Sequence, residues 1–126
     1  VGAIWTKFQV AQFSRILATL LAGGIPLVQA LETSRNSVGS ALLKRTLEVA
    51  TQAVREGKSL HEGLAATGFF PGLAIEMIEV GESSGALQAM LNGVADFFEE
   101  DVQTVLAGPV PLGALPRQNR GRRKVA

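Results

Sequence analysis

Apolar residues recur in this chain at three- and four-residue steps, in blocks that glycine and proline repeatedly cut short. Leu43, Leu47, Ala50 and Val54 fall at i, i+4, i+7 and i+11, which places all four on one side of a helix. Phe8, Phe13, Ile16, Leu17, Leu20 and Leu21 repeat that period, and so do Leu87, Leu91, Val94, Phe98, Val102 and Val105. With 47% hydrophobic residues, abundant Ala and Leu, 6% aromatics and no Tyr, the composition also favours helices over sheets. The expected fold is all-α.

The punctuation divides the chain into six helices. The first spans about 3–22 and ends at Gly23-Gly24, because glycine accepts the left-handed conformation of a helix terminus. Pro26 suits the first turn of the second, which runs to about Ser34. Asn36-Ser37-Val38-Gly39 is a connector, and a third helix runs from about Ser40 to Arg55. Ser59-Leu60-His61-Glu62 reads as a capping box opening a short fourth helix that ends at Gly68. A fifth starts at Phe69-Phe70-Pro71 and ends at Val80 or Glu82. Ser84 is the expected N-cap of a long sixth helix, about 86–106. Short connections imply antiparallel neighbours, so a compact six-helix antiparallel bundle is expected. The interrupted, aperiodic stretch 108–126 is expected to be a disordered tail.

Charge separates the same two segments. Residues 109–126 carry Arg117, Arg120, Arg122, Arg123 and Lys124 and no acid, a balance of +5. The remaining seven Lys and Arg face eleven Asp and Glu, so the body is −4. An acidic body argues against nucleic acid as its partner, since phosphate neutralisation dominates that affinity. With no Cys, a disulfide scaffold, a thiolate zinc site and a Cys nucleophile are excluded. No apolar run approaches the ~18–20 residues of a membrane span, and no secretory leader is evident.

Glu76, Glu79 and Glu82 stand three apart just before Ser83-Ser84-Gly85. Like charges at that spacing repel by a few tenths of a kcal/mol per pair, so the row calls for cations or a partner. One reading gives it to a basic partner surface, the other to internal caps and ion pairs, for instance with Arg15 or Arg45. For Glu79 and Glu82 the internal reading is preferred. Metal binding is disfavoured, because hard cations need several converging oxygens.

Set in order, several segments resemble the cytoplasmic domain of the type II secretion system protein F family, which includes the type IV pilus platform proteins. They are Phe13-Ser14-Arg15-Ile16-Leu17 through Gly23-Gly24-Ile25-Pro26-Leu27, Ala30-Leu31-Glu32, Gly57-Lys58-Ser59-Leu60, Phe70-Pro71 and Glu79-Val80-Gly81-Glu82-Ser83-Ser84-Gly85-Ala86-Leu87. The resemblance covers 1–107. It implies a non-catalytic inner-membrane platform protein with two copies of a six-helix cytoplasmic domain, this one similar to the second. The implied partners are an assembly ATPase and its inner-membrane adaptor proteins, with self-association into a homo-oligomer, and no cofactor is implied. The domain boundary is therefore placed at 107. The tail departs from the family, and another reading frame, an added segment and a genuine truncation stand open as its origin.

The remaining candidates are weighed residue by residue. Phe69 and Phe70 are a candidate exposed anchor for a partner. Trp5, with Phe8, either lies against a membrane surface, stacks in a dimer or simply packs. Of Phe97-Phe98, assigned to the core, both cannot face inward. Gly23, Gly24, Pro26, Gly81, Ser84 and Gly85 are structural corner residues. His61, the only histidine, lacks a partnering nucleophile motif. The rival to the platform reading is a helical lipid- or nucleic-acid-binding module acting through the basic tail.

Overall fold

The computed structural model of the chain describes residues 2–107, with side chains over 4–103. These residues form α1 (Gly2–Ala22), α2 (Leu27–Ser37), α3 (Ala41–Arg55), α4 (Leu60–Ala65), α5 (Gly72–Ser84) and α6 (Leu87–Ala107). No strand occurs among them. The expected tail lies outside the described residues.

Each helix packs on the next in chain order, and α6 returns to cover α1 in the most extensive contact of the fold. Lys7 meets Asp101 while Arg15 meets Asp96 and Asn92, so α1 and α6 run antiparallel. Arg35 with Glu48 and Arg55 with Glu32 give the same sense to α2 and α3. The core draws on all six helices. Phe13, Leu17, Leu31, Leu43, Leu47, Leu60, Leu64, Ile78, Leu91 and Val94 are fully buried. Each such Leu, Ile, Phe or Val contributes about 1.5–3 kcal/mol by leaving water.

Among the described side chains the expected stripes are turned inward except at Phe8, and one of the two aromatics assigned to the core faces outward; Val105 lies outside the described side chains. Phe8 is half exposed, because its position on α1 turns it away from Phe13 and Leu17. Phe97 is likewise exposed while its neighbour Phe98 is buried, the two rings meeting edge to face at 5.0 Å. Helix α2 runs three residues beyond the expected Ser34. Ser37 Oγ donates back to the Thr33 carbonyl at 2.9 Å, and the Arg35–Glu48 pair ties the added turn to α3. Pro26 occupies the cap position just before Leu27 rather than the first turn, and its carbonyl accepts from the Ala30 amide at 2.8 Å. Of the glycine pair after α1, Gly24 alone is left-handed, with φ of 87°.

Candidate interaction corner

Helix α4 has six residues, too few to hold itself together in water. Its leading amides are satisfied from two sources. The capping box forms as read from the sequence: Ser59 Oγ accepts from the Glu62 amide at 3.2 Å, and Glu62 Oε1 accepts from the Ser59 amide at 3.3 Å. The other source is distant in sequence. Glu82, on the last turn of α5, takes the Leu60 amide on Oε2 at 2.6 Å and the His61 amide on Oε1 at 3.0 Å. A carboxylate at a helix N-terminus satisfies orphan donors and meets the positive end of the helix dipole.

His61 closes the arrangement. Its Nδ1 lies 2.6 Å from Glu82 Oε1 and 3.1 Å from Ser59 Oγ. An ionised carboxylate only accepts, so Nδ1 carries the proton. Nε2 then points toward Glu79, 3.9 Å away. Ser, His and Glu meet here without the relay of a nucleophilic triad. A triad uses the two imidazole nitrogens for serine and acid separately, whereas here both crowd Nδ1. Among the described residues no group of three or more His, Asp or Glu is placed to hold a metal ion.

The corner behind Glu82 is built from backbone. Gly85 ends α5 in the left-handed region, with φ of 78°, and the Ala86 amide reaches back to the Gly81 carbonyl at 2.9 Å. Gly81 is buried where α5 and α6 come closest. A Cβ there would sit 2.9 Å from both Leu87 Cα and Met90 Cβ. Ser84 is not the N-cap of α6. It is the last residue of α5, because Gly85 and Ala86 make the turn and the Ala86 carbonyl accepts from the Met90 amide at 3.0 Å.

The predicted residues therefore separate. Glu82 is drawn inward; Glu79 is exposed beside His61; Glu76 is exposed and in no ion pair among the described residues. Neither arginine considered as their partner reaches them. Arg15 is taken by Asp96 at 2.5 Å, Glu99 at 3.2 Å and Asn92 at 2.7 Å, and the hydrogen bonds to Asp96 and then Glu99 raise its pKa above the ordinary arginine value. Arg45 is exposed on α3 with no acid paired to it among the described residues. Phe70 is not an exposed anchor. It is buried against Phe13, ring centroids 5.6 Å apart, because the core cluster takes up its ring and removes it from water. Phe69 is half-buried over Phe70. Trp5 is 41% exposed at the open end of α1. His61 as the partner of Glu82 was missed, since nothing in either segment marks them as neighbours.

The chain is thus an all-α module of six helices, with a glycine corner between α5 and α6 and a carboxylate cap joining α5 to α4. The family model for the type II secretion system (T2SS), protein F, matches residues 13–107. The chain belongs to this family. It is 33% identical over 105 residues to a type IV pilus assembly protein PilC of Myxococcus xanthus, covering 83% of this chain and 25% of that protein. A PilC of Pseudomonas aeruginosa is 37% identical over 105 residues, covering 83% and 28%. A type II secretion system protein F of Xanthomonas campestris is 38% identical over 116 residues, covering 89% and 29%. The chain thus spans between a quarter and a third of the length of these relatives.

Proposed function

We propose that this chain is a non-catalytic helical domain of an inner-membrane platform protein serving type II secretion or type IV pilus assembly. The match over 13–107 to the protein F family, with relatives named for both systems, is the observation that carries this reading. Residues 1–107 form one such domain, similar to the second of two repeats. It works on the cytoplasmic face of the bacterial inner membrane, as part of an anchored protein. Among the described residues no helix is long and apolar enough to cross a membrane.

In this reading the domain couples an assembly ATPase, through its adaptors, to pilin or pseudopilin addition. Force passes through helix faces, which requires that they not yield. Three features support that: apolar contributions from all six helices, the close approach at Gly81, and the Glu82 cap joining α4 to α5. The domain also self-associates within a homo-oligomeric machine.

Two measurements test this. Deleting the segment for residues 1–107 in the bacterium that encodes it should abolish secretion or piliation; normal export and normal pili would overturn the reading. Purified chain should bind the assembly ATPase or its adaptor in biolayer interferometry. Folded chain that binds neither would remove the coupling role while leaving the assembly role standing.

A further inference from the structure

The charge of this domain is sorted by helix. From Gly72 to Ala107, α5 and α6 carry seven acids and no Lys, Arg or His. The first four helices and their connections, residues 2–71, hold seven Lys and Arg against four Glu. Nine of these eighteen charges are paired across α1–α6 and α2–α3, four Lys and Arg with five acids. Among the exposed residues outside these pairs, two stripes stand out, one on each half.

On α3 the stripe is Leu42, Arg45, Val49 and Gln52, and on α5 it is Leu73, Glu76, Val80 and Ser83. Both have steps of three, four and three residues. Both read apolar, charged, apolar, polar, with opposite charges. Leu42, Val49, Leu73 and Val80 are 53%, 51%, 42% and 54% exposed, so each stripe presents two aliphatic side chains one helical repeat apart to solvent. Neither Arg45 nor Glu76 has an ion-pair partner among the described residues. Helices α3 and α5 each pack on α4, and the two stripes face outward, so one molecule cannot bring them together.

We infer that the α3 stripe of one copy receives the α5 stripe of a second copy. The matching steps fit two helices laid parallel, because in that geometry equivalent positions face each other. Leu73 then meets Leu42, Glu76 meets Arg45, Val80 meets Val49, and Ser83 meets Gln52. Val49 also lines a groove of about 700 Å³ between α3 and α4, with Ala53, Gly63 and Ala66 beside it; Glu48, Glu56 and Glu62 line it too, with Lys58 as the one lining cation among the described residues, so the charge match is confined to Arg45 with Glu76. Glu48 flanks the contact on the side of Glu79, but Arg35 holds it at 3.3 Å and offsets its charge. Different faces meet, so the contact is heterologous and builds a ring or an open row of copies.

Three turns per helix bury well under the ~1,000 Å² of a stable interface, so the contact is weak and needs high local concentration. The proposal gives faces to the self-association in the functional reading above, but it rests on the stripes alone.

The chain has no Cys, so thiol pairs can be introduced cleanly. Gln52→Cys and Ser83→Cys, both at exposed positions, are made in separate chains, mixed near 1 mM and treated with a short bismaleimide. The mixture should give a covalent dimer, and each variant alone should give background. Arg45→Glu in the Gln52→Cys chain should cut the yield about tenfold, since a favourable surface pair becomes a repulsive one. Adding Glu76→Arg to the Ser83→Cys chain should restore it. No dimer in the mixture, equal dimer from Gln52→Cys alone, or a yield indifferent to Arg45→Glu would each overturn the proposal. If sedimentation still shows self-association in Arg45→Glu chain, the contact lies elsewhere; this inference fails and the oligomeric reading survives.

Discussion

Replacing Glu82 by alanine removes the acceptor for two backbone amides of α4 and for the imidazole of His61. Each lost helix cap costs about 1 kcal/mol, within a range of roughly 0.5–2. The lost contact to His61 adds about 0.5–1 kcal/mol, a surface value, since the imidazole keeps some access to water. Glu82 is only 19% exposed, so water replaces it incompletely at the amides. The sum is about 2–3 kcal/mol, or a fall in melting temperature of about 10–20 °C for a domain near 100 residues. Far-UV circular dichroism through urea and thermal unfolding measures it. Glu82→Gln keeps one acceptor oxygen and should cost about half as much. Glu79→Gln, at an exposed site, should stay within about 0.5 kcal/mol. Hydrogen exchange at the Leu60 and His61 amides should accelerate in Glu82→Ala ahead of the core amides. If Glu82→Ala costs no more than Glu79→Gln and leaves those amides protected, the cross-helix cap contributes nothing and the account of the corner is wrong.

The remaining predictions concern packing and turns. Gly81→Ala should destabilise by about 1–3 kcal/mol, because its Cβ meets the Leu87 backbone at 2.9 Å and α6 must move away. Gly85→Ala has open space around its Cβ and should cost only the left-handed backbone, about 1–2 kcal/mol; equal denaturation midpoints for wild type and both variants would contradict this. Leu47→Ala, at a fully buried position on α3, should cost about 2–5 kcal/mol in urea unfolding, and a loss under about 1 kcal/mol would mean that the site collapses around the cavity. Phe70→Ala should cost about 3–5 kcal/mol, whereas Phe97→Ala at a half-exposed site should cost far less. A reversed order in thermal melts would show that the inward and outward rings have been exchanged.

Much of the corner was legible from local chemistry. The spacing of Leu43, Leu47 and Ala50 requires one helical face, and all three are buried on α3. The Ser59–Glu62 box is local because donor and acceptor stand three residues apart. Gly85 is marked by its place after a periodic segment, where a residue with positive φ is needed. The destination of Glu82 was not legible, because its partners lie 21 and 22 residues earlier and no spacing rule spans that distance. The same holds for Arg15, whose acids are 81 and 84 residues away. Adjacent aromatics mislead for another reason. Phe69-Phe70 lie in the connection ahead of α5 and Phe97-Phe98 are successive positions on α6, and which ring turns inward depends on the neighbouring helices.

By itself the sequence determined six helices, their approximate ends and their buried stripes, because backbone hydrogen bonding and helical periodicity act over a few residues. Its ordered motifs also pointed to the protein F family. Only the tertiary structure decided which charges meet, since ion pairs and caps between helices depend on how rods of fixed length are laid side by side. That arrangement drew Glu82 into the α4 terminus and left Glu76 and Arg45 exposed, without ion-pair partners among the described residues. It also turned Phe70 into the core and Phe97 toward water, because burial is a property of the packed assembly and not of the residue.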